Sequence, residues 1–205
     1  MHTPTVAALL HCFLFAALVQ SAPITSPAFS EAVKQTKTLV EKILDDIPIA
    51  HTATVNTQGF TLDASSHTTN LQLMVTSLGI PATPVLKPPS QHFTPDMCVA
   101  RMLAGTQLYQ NLLEVLSSNL SGLETLQADL RDLLTHIAKM KKVAQLGGDA
   151  SDQNHSLDLA SHLQEAYKVQ VMVHMTLVQL RSFCHDLIRS LRALATYRPD
   201  TAGAQ

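Results

Sequence analysis

"TPDMCVARMLAGTQLYQNLLEVLSSNLSGLETL", Thr94 to Leu126, holds a helix start, a helix stop and a second start within one stretch. Thr94 is a good N-cap, Pro95 suits the first helical position, and Asp96 complements the positive end of the helix dipole. Cys98, Met102, Gly105, Leu108 or Tyr109, Leu112 and Leu116 then recur at three- and four-residue steps, which predicts a helix over about 95–117 with one inward stripe. Ser121 with Glu124 three positions on has the form of a capping box. It predicts a further helix over about 122–144, striped by Leu123, Leu126, Leu130, Leu133, Ile137 and Met140. A connection this short makes the two helices antiparallel neighbours.

Working outward, the connections become long. Phe29, Val33, Val40, Ile43, Leu44 and Ile47 predict a first helix over about 28–47, with Pro27 before it and Pro48 as its stop. The proline-rich stretch 48–93 contains one short helical pattern, about 69–78, and is long enough to travel the length of a bundle. After the stretch "LGGDASDQNHS", Leu163, Tyr167, Val173, Leu177, Leu180, Cys184, Leu187, Leu191 and Leu194 predict a last helix over about 157–195. Four long helices joined long, short, long imply an all-α, long-chain four-helix bundle with up-up-down-down topology and two long crossover connections.

Composition fits one domain: 205 residues, 46% hydrophobic, 15% charged. A formal net charge of -2 offers no basic face for nucleic acid or anionic lipid. The apolar run Val6 to Val19, followed by small residues at Ser21 and Ala22, predicts a signal peptide over 1–21 and a secreted, extracellular domain over 22–205. No later apolar run reaches the roughly 20 residues that cross a bilayer, so membrane insertion is not expected. Two sequons, at Asn119 and Asn154, are glycosylation candidates in expected loops.

Catalytic signatures do not accompany this pattern. There is no GxSxG, HExxH, Walker loop or CxxC, and Gly147-Gly148 lacks the context of a phosphate-binding turn. The ten histidines are scattered; His174 and His185, in helical phase, would stand about 16 Å apart by helical rise, beyond one metal's reach. No enzyme activity, metal or cofactor is expected. Asp129 and Asp132, three apart beside the leucine stripe, should project together from the bundle surface as a solvated face. Lys34, Lys37, Glu41, Lys42 and Asp45 decorate the outside of the first helix in the same way.

Three ordered segments resemble the granulocyte colony-stimulating factor branch of the interleukin-6 cytokines. Cys98, Gly105, Tyr109 and Leu113 fit that family's signature, with Thr106 in place of a leucine. "SLGIPATP", Ser77 to Pro84, resembles the segment after the short helix, and "LETLQADLRD", Leu123 to Asp132, resembles the family's third helix. The end of the last helix, "SFCHDLIRSLRAL", is similar in pattern.

The resemblance implies a monomeric helical cytokine that binds and dimerises a class I cytokine receptor and drives granulocyte proliferation and differentiation. It implies a principal receptor surface on the first and third long helices, with Asp129 and Asp132 in the position of two acidic contacts and Lys34, Lys37, Glu41 and Lys42 beside them. A second contact would use Asn70, where the family has an acidic residue, or its neighbour Leu73, together with Tyr167. The family's disulfide partner for Cys98 lies ten residues earlier, where Pro88 stands. Cys184 falls roughly 15 Å before the end of the last helix by helical rise, more than the about 7 Å a disulfide spans, so two buried thiols are expected and a Cys98–Cys184 pair is the alternative. The competing readings are an interleukin-6-like sibling and, from another class, a secreted amphipathic-helical lipid carrier.

Overall fold

A computed structural model describes residues 26–62, 69–90, 92–146 and 163–197. The expected signal segment 1–21, Asn154 and the side chain of Asn70 lie outside the described residues. Among the described residues five helices follow one another: α1 Pro27–Thr54, α2 Thr69–Ser77, α3 Pro95–Ser117, α4 Glu124–Val143 and α5 Ala166–Thr196. Among the described residues the β structure is limited to an isolated bridge between Ser90 and Phe93. The domain is all-helical, as a helical cytokine bundle is.

α1 and α3 each pack against both α4 and α5, and the short α2 touches α5. The side-chain pairings give the sense of each contact. Lys42 meets Asp129, while a methyl at Gly122 would come within 3.2 Å of the Ala53 methyl. His51 meets His174 while Thr54 meets Gln170. Gln127 reaches the Leu113 carbonyl, and Gly105 and Tyr109 both face Phe183. Later residues on α1 thus meet earlier residues on α4 and on α5, and the short turn from α3 to α4 reverses the chain.

The inward faces close on one core in which Val40, Ile43, Tyr109, Leu113, Leu130, Leu133, Leu180 and Leu187 are sealed from solvent. Burying a side chain of this size removes about 1.5–3 kcal/mol of apolar exposure, so interlocked stripes rather than covalent links hold the bundle. Cys98 and Cys184 are both fully buried and carry free thiols. Burial pushes the Cys98 thiol up to about 11, against a small opposing effect of the Ser190 hydroxyl, and raises Cys184 likewise. At Gly105 the Phe183 ring of α5 occupies the space that a side chain on α3 would fill.

Three expectations about helix ends need correction. α1 does not stop at Pro48 but continues for six more residues, to Thr54. Proline removes one backbone donor and crowds the preceding turn, a cost of about 3 kcal/mol in isolation. Downstream burial of Ala50, His51 and Thr54 offsets it. Ser121 does not cap α4: the N-cap is Leu123 with no side-chain bond, and the Glu124 carboxylate instead accepts from the Gly122 N–H at 2.8 Å. α5 starts at Ala166, with residues 163–165 in turn and bend conformation, later than the expected start near 157.

The connections are tied down by single polar contacts. In the crossover after α2, Thr83 shares a 2.5 Å hydrogen bond with the Tyr109 hydroxyl. Arg101 donates to the Val85 carbonyl at 2.9 Å and stacks over Phe93. Arg181 donates to the Leu62 carbonyl at 3.0 Å. These contacts work beside apolar burial, since the crossing chain contributes Leu78, Ile80 and Phe93 to the core.

Candidate functional site

The α1–α4 seam opens into a shallow groove of about 420 Å³ lined by Glu31, Lys34, Thr38 and Lys42 from α1 and by Asp132 and His136 from α4. α1 presents these residues because Lys34, Thr38 and Lys42 repeat every fourth position on one face, beside the buried row Val33, Val40, Ile43 and Ile47. α4 presents Asp132 and His136 by the same four-residue step, beside Leu133 and Ile137. Lys34 and Asp132 are exposed. The groove therefore offers charges of both signs around an apolar floor that includes Leu39.

Asp129 departs from expectation. It does not project with Asp132 but is 7% exposed, turned into the α1–α4 seam, where Lys42 caps it at 2.5 Å. The reason lies in packing: the side of the leucine stripe that carries Asp129 faces α1. Lys42, half exposed, bridges Asp129 and Asp46, the latter at 2.9 Å. Those two carboxylates, Asp129 foremost, hold the Lys42 ammonium above its ordinary range. Lys37 and Glu41 pair with each other one turn apart at 2.9 Å. Among the expected surface charges, the groove thus joins Lys34, Lys42 and Asp132, sets Asp129 beneath Lys42 as its anchor, and leaves Lys37 and Glu41 outside its lining.

The second group of expected contacts lies elsewhere. Tyr167, in the first turn of α5, is 54% exposed, and its ring stands 6.4 Å from Phe60. Leu73 on α2 is 66% exposed. Behind Tyr167 is a feature the sequence reading missed. His51 of α1 and His174 of α5 are buried with ring nitrogens 3.0 Å apart, and Phe60 stacks on His174 at 4.6 Å. Burial holds His51 below its ordinary value. The partners are 123 residues apart, and neither residue's neighbours in the sequence signal the other.

Among the described residues no three metal-ligating side chains converge, and no helix is long and apolar enough to cross a membrane. No individual curated protein matches the chain. The family model for granulocyte colony-stimulating factor does match, over residues 48–192, which takes in α2 to nearly the end of α5 but only the last turns of α1. A match over more than half of the chain, on an all-helical bundle of this form, decides the matter: the chain belongs to the granulocyte colony-stimulating factor family, whose members are cytokines and not enzymes.

Proposed function

We propose that the chain is secreted after loss of residues 1–21 and that residues 22–205 act as a monomeric ligand. In this reading it binds and dimerises a class I cytokine receptor of the granulocyte colony-stimulating factor type and drives granulocyte proliferation and differentiation. The observation that carries the reading is the α1–α4 groove, which places Lys34 and Asp132 on one exposed surface with an apolar floor. Mixed charge around an apolar centre suits a protein interface, because rim charges set orientation and association rate while the centre supplies desolvation. Lys42 and Asp129 support it by fixing α1 against α4. Tyr167 and Leu73, large and exposed, are the residues of a second contact with a second receptor chain.

The test separates contact from folding. Asp132→Ala removes an exposed carboxylate, so it should weaken binding to the purified receptor ectodomain by more than about 1 kcal/mol while the melting transition stays put. Asp129→Ala is the wrong probe alone, since it opens a gap beneath Lys42. Tyr167→Ala should leave one-to-one binding intact and reduce proliferation of receptor-bearing myeloid cells. Full affinity and full activity in Asp132→Ala would refute the groove as the principal contact.

A further inference from the structure

Two sequons invite sugar, and Asn119 is the one within the described residues. Asn119-Leu120-Ser121 forms the tight turn between α3 and α4, with Asn119 and Ser121 both exposed. Its backbone is secured without help from the sequon side chains. The Asn119 N–H donates to the Leu116 carbonyl at 3.1 Å, and Gly122, with φ of 100°, makes the bend that only glycine enters easily. The Asn119 amide Nδ2 donates to the exposed Ser118 hydroxyl at 2.9 Å, a bond that water replaces at little cost. Ser121 is equally uncommitted, because Glu124 rather than Ser121 answers the backbone at the start of α4. Acceptor amide and sequon hydroxyl are thus both accessible and both dispensable to the fold.

We propose that Asn119 is an N-glycosylation site whose sugar projects from the α3–α4 end of the bundle and leaves the α1–α4 groove open. The inference rests on the secretory reading above, since the donor, a lipid-pyrophosphate-linked oligosaccharide, is met only in the secretory lumen. Nδ2 attacks the anomeric carbon, and an N–C bond forms as the C–O bond to the pyrophosphate breaks. The electron pair leaves with the pyrophosphate oxygen, and one Nδ2 proton is lost to base. The remaining Nδ2 proton still serves a hydrogen bond. Location decides the consequence for binding. The turn packs on the last turn of α1 through Gly122 and Ala53, whereas Asp132 and His136 lie about 12 and 18 Å further along α4 by helical rise. The sugar therefore stands beyond the end of the groove. It adds hydrophilic bulk to the bundle end that exposes Ile49, one turn before Ala53 on α1.

The full chain expressed in a eukaryotic secretory host tests this. Protein recovered from the medium should lose one glycan-sized step in mass on treatment with peptide N-glycosidase. Asn119→Gln and Ser121→Ala should each abolish that step, Ser121→Thr should keep it, and Asn154→Gln should leave it in place. Wild type and Asn119→Gln should bind the receptor ectodomain equally. A secreted chain whose mass is unchanged by the enzyme, or whose step vanishes only with Asn154→Gln, overturns the site. Weaker binding by the glycosylated form overturns its clearance of the groove. Retention of the chain in cells with residues 1–21 attached would count against the secretory reading instead, and the same mass comparison behind a foreign leader would then decide the site by itself.

Discussion

Gly105→Ala is the sharpest perturbation of the bundle, because one methyl group separates two opposing effects of known sign. In an exposed helix the change is favourable by about 0.8–1 kcal/mol, since alanine loses less backbone freedom than glycine. Here a Cβ at position 105 would stand 2.4 Å and 2.5 Å from two carbons of the Phe183 ring. Carbon atoms rest at about 3.5–4.0 Å. The ring has nowhere to retreat: Phe183 is 2% exposed, and Tyr109 lies against it with centroids 5.3 Å apart. Overpacking a closed core costs about 1–3 kcal/mol, and contacts this short belong at the upper end. The net loss should be about 2 kcal/mol, which lowers the melting temperature of a domain this size by about 4–8 °C.

Urea unfolding followed by circular dichroism measures it, with a second variant to locate the cause. Phe183→Leu alone should destabilise by about 1–2 kcal/mol through lost packing. In the double variant the smaller side chain should accept the new methyl, so the two losses should fall short of their sum by at least about 1 kcal/mol. A neutral or stabilising Gly105→Ala, or strict additivity with Phe183→Leu, would refute a direct contact between α3 and α5 at this point.

Three further outcomes follow from the buried polar groups. With His51 held by burial below the ordinary histidine value of 6.5, the unfolded chain binds its proton more readily than the folded one. The stability contribution is then complete above about that pH and is lost as pH falls through the lowered value; unfolding free energies at pH 7.5 and 5.5 should differ, and His51→Gln should narrow the difference. Lys42→Met strips the ammonium from the buried Asp129 carboxylate and should cost about 1 kcal/mol, kept modest because Lys42 is half exposed to water; adding Asp129→Asn should restore most of the loss in chemical denaturation. Cys98 and Cys184 should resist iodoacetamide in the native protein at pH 8 and take up two groups once unfolded, as read by mass.

Sequence pattern located α3 well because its determinants are local: the Thr94 side chain does accept the Met97 N–H, at 3.3 Å, and the inward stripe follows from spacing alone. Where the reading failed, the deciding partner was distant in the chain. A proline normally stops a helix, but Pro48 is overruled by burial of Ala50 and His51 against other helices. Periodicity placed Asp129 beside the leucine stripe without revealing that α1 covers that side, so a buried anchor looked like a surface charge. Asp132, one turn on, lies past the covered side and is exposed, as its spacing predicts. The His51–His174 pair had no periodic signal at all, since each residue alone resembles an ordinary helical histidine.

The groove between α1 and α4 is a composite surface, and that shapes how it could be recognised or blocked. Lys34 and Lys42 arrive with the first helix, Asp132 and His136 some 90 residues later in the chain, and the Lys42–Asp129 lock sets their spacing. A peptide copied from either helix carries half of the surface and none of its geometry. An antibody raised against the groove should therefore report folding, losing its epitope when the bundle melts and ignoring the denatured chain. A nick in the crossover segments should spare the epitope for as long as α1 stays docked. The surface is in effect a readout of assembly, displayed only by molecules whose first and third long helices have found each other.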